Sequence, residues 1–128
     1  MTPEQYIKQK ILDVNAAWEG KKFDYKLPAE TIEQLYNKLV DRNEHWDAKN
    51  EVRYGNVETD QECDGGRNYE AKSVAFKTHD GKYVGWTHYY GGGKHGNPSS
   101  IDWISDAYFL ECEEKKKLVI VRTFKIIK

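Results

Sequence analysis

Residues 69–90 read YEAKSVAFKTHDGKYVGWTHYY. Two runs rich in β-branched and aromatic residues, 69–78 and 82–90, flank His79-Asp80-Gly81, and Asp-Gly between such runs is a strong tight-turn signal. The stretch therefore reads as a β-hairpin. With Asp80 and Gly81 as a two-residue turn, Phe76 faces Gly85, Ala75 faces Trp86 and Ser73 faces His88. One face then carries Val74, Phe76, Tyr83 and Tyr89, and the other Ala75, Val84, Trp86 and Tyr90. Neither face is polar, which predicts a central hairpin or a face that serves as a binding surface.

Toward the N-terminus, 58–68 is acidic and turn-rich, with Asp64-Gly65-Gly66, and 51–57 reads as a short strand. Two amphipathic helices precede it. Thr2 is the expected N-cap of the first, with Pro3 at its first helical position and Gln5 completing a capping box. Ile7, Ile11, Val14 and Trp18 make its apolar stripe, and Gly20 is the expected stop. The second begins at Pro28, carries Ile32, Leu35, Tyr36, Leu39 and Val40 on one face, and ends near Asn43 or His45.

Toward the C-terminus a glycine-rich segment leads to Asn97-Pro98, an N-cap and first-position pair that predicts a helical turn over 98–105. Residues 108–112 read as a strand, 113–116 as a charged turn and 118–127 as a last strand. Its Leu118-Val119-Ile120-Val121 run is apolar on both sides, as in an interior strand. The order predicts an α+β fold, two N-terminal helices packed on a mainly antiparallel sheet of four to five strands. It forms one domain over 1–128, helical over 1–50 and β-rich over 51–128.

Composition narrows the function classes. A chain that is 38% hydrophobic and 13% aromatic is not a disordered one. No apolar run approaches ~18 residues, so no membrane span or membrane partner is expected. The chain opens without a basic and then apolar leader, and Cys63 and Cys112 are too few for a disulfide scaffold, so a reducing cytoplasm is expected. The formal net charge is −1, with an acidic excess in 51–68 and a modest basic excess from Tyr69 onward. That excludes broad nucleic-acid binding, although one or two phosphates would fit a small positive pocket.

The glycine-rich segment is the most informative for chemistry. Gly91, Gly92 and Gly93 can turn backbone N–H groups toward an anion, Lys94 adds a cation and His95 a second polar group. Trp86, Tyr89, Tyr90 and Trp103 supply flat rings nearby, and anion donors beside rings suit a nucleotide. These nine residues form the candidate binding site of a non-enzymatic protein. Its expected partner is a phosphorylated small molecule or a host protein, with homo-oligomer formation a further expectation. No motif calls for a cofactor. The spacing is neither a P-loop nor a dinucleotide fingerprint.

Other constellations carry less. His79, His88 and His95 with Cys63 match no compact zinc module. Ser73 opposite His88 suggests a nucleophile and base, but with no orienting carboxylate. Glu62 and Asp64 raise the pKa of the Cys63 thiol, and Cys112 reads as a small buried strand residue.

Two resemblances bear on function. Asp64, Glu70 and Lys72 form an Asp-x5-Glu-x-Lys pattern that resembles the core of the PD-(D/E)xK nucleases. That likeness implies, as the alternative function, a nuclease in which two carboxylates hold Mg²⁺ and the lysine assists the attacking water. The segment from Tyr89-Tyr90-Gly91-Gly92-Gly93-Lys94-His95-Gly96 to Ile101-Asp102-Trp103 resembles small accessory proteins of tailed bacteriophages. This likeness implies a protein at work in an infected bacterial cytoplasm, neutralising a host defence by binding a host protein or a nucleotide signal.

Overall fold

The computed structural model describes residues 1–66, 69–93, 96–113 and 122–127. Helix α1 spans Pro3–Trp18 and starts as its sequence dictates: the Gln5 N–H donates to Thr2 Oγ1 at 3.2 Å, and the Thr2 N–H donates to Gln5 Oε1 at 2.9 Å. Ile7 and Ile11 are fully buried, while Trp18 at the far end of the stripe is exposed. Helix α2, Ala29–Asp41, buries Ile32, Tyr36 and Leu39, whereas Val40 turns toward solvent. Lys8 and Glu33, 2.7 Å apart, tie the two helices together.

A third helix, α3, occupies Trp46–Arg53, where the sequence predicted a strand over 51–57. Ala48 and Val52, four residues apart, are both buried in the main core, and that packing outweighs the β-branched character of the segment. Only Val57–Glu58 is strand, β1.

Strands β2 (Glu70–Lys77) and β3 (Tyr83–Tyr90) form the expected hairpin, but one residue out of the expected register. Phe76 pairs with Val84, Val74 with Trp86, Ser73 with Thr87 and Lys72 with His88. The loop has three residues rather than two, because Thr78 and Lys82 still pair across it. The Thr78 N–H donates to the Lys82 carbonyl at 2.7 Å, the Lys82 N–H to Thr78 Oγ1 at 2.9 Å, and the Gly81 N–H to the Thr78 carbonyl at 3.0 Å. Gly81 closes the loop at φ 89°, a conformation that needs glycine. A one-residue shift exchanges the faces of one strand relative to the other. Val74, Phe76, Val84 and Trp86 therefore share one face, and the side chains of Ala75 and Tyr83 lie on the other.

The sheet is antiparallel throughout in the order β1-β2-β3-β4, with β4 at Tyr108–Leu110. The helices cover its Val74–Trp86 face, and one core runs from Ile7, Ile11 and Tyr36 through Ala48 and Val52 to Phe76, Trp86, Trp103 and Ile104. The chain is thus α+β, with its N-terminal helices on a four-stranded antiparallel sheet. No helix among the described residues is long and apolar enough to cross a membrane.

Three other expectations change. The helical turn is a 3₁₀ turn at Pro98–Ser100 rather than 98–105. Strand β4 ends at Leu110, which leaves Cys112 exposed rather than buried. Of the last predicted strand, 118–121 lies outside the described residues, and 122–127 is irregular and exposed.

The hairpin tip is fastened to α1. The Tyr6 hydroxyl donates to Asp80 Oδ2 at 2.6 Å, and Thr78 Oγ1 donates to Asp80 Oδ1 at 2.5 Å. These two bonds, Thr78 first, hold the Asp80 carboxyl down at about 2 from an ordinary 3.8. A depressed carboxylate contributes stability that is complete above the unfolded value and is lost as pH falls toward the folded one. We expect Asp80 to titrate near the lower value by carboxyl NMR, and urea midpoints to fall between pH 4 and pH 2. Tyr6→Phe should raise the Asp80 value and flatten that fall; titration of Asp80 at its ordinary position would refute the fastening.

Candidate functional site

Seven of the nine sequence-predicted site residues lie among the described residues. Gly91, Gly92 and Gly93 stand at φ 75°, 88° and 67° on the surface. Tyr69 explains the middle one: a Cβ on Gly92 would lie 2.6 Å from its Cε1. The Tyr69 hydroxyl accepts the Asn97 N–H at 3.1 Å, and the Gly96 N–H donates to the Gly93 carbonyl at 3.1 Å, so the segment folds back beneath that ring. Lys94 and His95 lie outside the described residues. Tyr90 is 37% exposed, and Tyr89 offers its carbonyl to Arg53. Trp86 and Trp103, 0% and 2% exposed, are core residues with ring centroids 5.0 Å apart. The glycines and the two indoles therefore do not share a wall.

The downstream end of the segment does border a cleft. Ser99 and Trp103 face Trp46, Asp47, Lys49, Asn50 and Arg53 of α3 across a space of about 250 Å³. Asp102 seats Trp103 there by accepting the Ile104 N–H at 3.2 Å, the Ser105 N–H at 3.3 Å and the Ser105 hydroxyl at 2.6 Å. These bonds, the Ser105 hydroxyl foremost, keep its carboxyl below the ordinary value. The Trp103 indole N–H is buried and has no partner among the described residues. Lys49 Nζ lies 5.6 Å from the centre of the exposed Trp46 ring.

Arg53 is the unusual member, a cation only 6% exposed. Its Nε donates to Asn50 Oδ1 at 3.2 Å and its Nη1 to the Tyr89 carbonyl at 2.8 Å, with the guanidinium 5.0 Å from the Tyr54 ring centre. All of these partners are neutral. Among the described residues, no carboxylate forms an ion pair with Arg53 or with Lys49. The same residue anchors α3 to the sheet, since the Trp86 indole N–H donates to the Arg53 carbonyl at 2.9 Å. His88 Nδ1 sits 3.2 Å from that carbonyl and 3.4 Å from Nη1. Burial first, and then the Arg53 charge, hold the His88 pKa below its ordinary value.

Sequence reasoning missed the α3 side of the cleft by reading 51–57 as a strand. A signal was present: Trp46, Lys49, Asn50 and Arg53 recur at i, i+3, i+4 and i+7, one helix face.

The other constellations are placed as follows. Glu70 and Lys72 share a face of β2, as their spacing requires, but Lys72 Nζ donates to Glu58 Oε1 at 2.8 Å in an exposed pair. Asp64 accepts the Gly66 N–H at 2.8 Å within its own turn. Ser73 and His88 stand on opposite faces of the sheet, which removes the expected pairing. Ser73 Oγ instead lies within hydrogen-bond distance of Thr59 Oγ1 at 2.6 Å and of the Tyr108 hydroxyl at 2.7 Å. His79 stacks on Tyr25, and no three His, Cys, Asp or Glu among the described residues gather around a metal-sized space. Burial and then Asp64 push the Cys63 thiol up.

No family model, curated protein or solved structure matches this chain.

The two ring environments differ in what truncation should cost. Trp86→Ala removes a wholly buried indole and its bond to α3, and should lower the unfolding free energy by about 3–5 kcal/mol. Tyr90→Ala should cost less than about 1 kcal/mol. Urea unfolding of both variants measures this, and equal midpoints would mean that Trp86 is not a core residue.

Proposed function

We propose that the protein is a non-enzymatic binding protein for a phosphorylated small molecule, held in the cleft between α3 and the 97–103 segment. The observation that carries this reading is Arg53, a buried guanidinium whose described partners are all neutral. A buried charge without counter-charge costs several kcal/mol, and hydrogen bonds to neutral acceptors recover only part of that. An anion beside Arg53 and Lys49 supplies the missing charge, and planar guanidinium donors suit phosphate oxygens.

The rest of the lining supports a nucleoside or sugar phosphate over the bare anion. The Trp46 ring offers a flat surface to a base or sugar. Asn50 and Ser99 hydrogen-bond in either sense, and the Asp47 carboxylate accepts from hydroxyl groups. A space of about 250 Å³ suits a mononucleotide-sized ligand better than a dinucleotide. The glycine-rich segment takes part through its downstream residues, Ser99 and Trp103, which its fold under Tyr69 delivers to α3.

Titration with adenosine 5′-monophosphate and with pyrophosphate, followed by tryptophan fluorescence, tests the reading. Saturable change is expected, because Trp46 and Trp103 both line the cleft. Lys49→Gln should weaken binding about tenfold or more, the equivalent of one charge-assisted contact. Arg53→Gln should abolish it, with thermal melting to check the fold. Ligand binding should also raise the His88 pKa in NMR titration, since the anion offsets the neighbouring Arg53 charge. The proposal fails if neither ligand gives a signal at millimolar concentration, or if binding survives both substitutions undiminished.

A further inference from the structure

The sheet face turned away from the helices carries a second concavity, of about 670 Å³, unrelated to the cleft on α3. Val57 and Ala75 are paired across β1 and β2, and with Leu110 of β4 they give it an apolar floor. The charged residues that line it, among those described, are acidic: Asp60, Glu111, one further glutamate and, at the margin, Glu58. The Glu58 side chain lies with Lys72 on the Val74 side of the sheet, while Lys77 stands at the edge with its Nζ 6.0 Å from the centre of the Tyr83 ring. Glu58 is partly offset by its pair with Lys72, while Asp60 and Glu111 make no ion pair among the described residues.

The 122–127 segment presents the complementary surface. Phe124, Ile126 and Ile127 are 84%, 92% and 95% exposed. Three large apolar side chains left in water within six residues form an interaction surface that its own domain does not cover. The same six residues carry Arg122 and Lys125 and no acidic side chain. An apolar floor with an acidic rim thus faces an apolar segment with basic side chains, and six residues in extended form span about 20 Å.

We propose that 122–127 of one copy of this chain docks in the acidic groove on the outer sheet face of a second copy. Reciprocal exchange of the two segments closes a two-fold dimer, with both apolar segments removed from water. The charge pattern fixes the sense of the contact, with Arg122 and Lys125 against Asp60 and Glu111.

Sedimentation velocity over a range of concentrations, with the full chain, tests this. The wild type should dimerise, and deletion of 122–128 or Phe124→Ser with Ile126→Ser should leave a monomer that melts at the temperature of the wild type diluted below its dissociation constant. Glu111→Lys in the groove should raise the dimer dissociation constant about tenfold or more, and adding Lys125→Glu should restore part of the loss. A mixture is the most direct measurement. The full-length Glu111→Lys chain and the chain lacking 122–128 should pair with each other far better than either pairs with itself. The proposal is overturned if the wild type stays monomeric, or if the dimer survives deletion of the segment. It is equally overturned if deletion lowers the melting temperature of a monomer, which would mean that the segment packs on its own chain.

Discussion

The bond set at the hairpin tip is the constraint on which the rest of the structure depends. Thr78 pairs with Lys82 through its backbone and its hydroxyl, so the loop holds three residues. Asp80 within that loop is held by Thr78 and bound by Tyr6, so the tip cannot slide along α1 without breaking its bond to Tyr6. Side chains alternate along a strand, so a shift of one residue would carry Trp86 and Val84 out of the core together. Trp86 in turn holds α3 through the Arg53 carbonyl. The tip therefore settles which face of β3 meets the helices, and through Trp86 where the cleft lies.

Arg53 joins folding to the site in one residue. Its carbonyl receives the Trp86 indole, while its guanidinium spans Asn50, the Tyr89 carbonyl and the Tyr54 ring beside the cleft. Full desolvation of an ammonium-sized ion costs more than two hydrogen bonds to neutral acceptors return. The position is tolerable because the guanidinium is weakly hydrated, lies near an aromatic face and belongs to a residue that lines the cleft. An arginine held in this way is preorganised, so the anion proposed for the cleft would not have to order it. Lys49 on the same helix face contributes charge with more freedom.

Much of this was legible in the sequence where the physics is local. The capping box of α1 involves residues three apart, and the Asp-Gly signal located the hairpin. The register was not legible, because it rests on the Thr78 hydroxyl and on Tyr6, which is far away along the chain. Helix α3 was hidden for a related reason: Val52, Tyr54 and Val57 carry β propensity, and the packing of Ala48 and Val52 against distant parts of the core overrides it. In the glycine-rich segment the need for glycine was visible, but its cause was not. Tyr69 lies on top of Gly92, and only the folded chain brings the two together.

The two sheet faces then explain how a chain of net charge −1 can still present strong local fields. On the helix side, Lys49 and Arg53 border one cleft, with Asp47 as the only carboxylate among the described residues that line it. On the outer face, the charged residues that line the groove among the described residues are acidic, with Lys77 beside Tyr83 at its edge. Screening confines each field to about 10 Å at ordinary ionic strength, so the two surfaces act independently of each other and of the overall charge. Burying the core demands an apolar inner face and leaves the outer face free in composition. One fold can thereby carry the anion cleft and the acidic docking groove proposed above without either field cancelling the other.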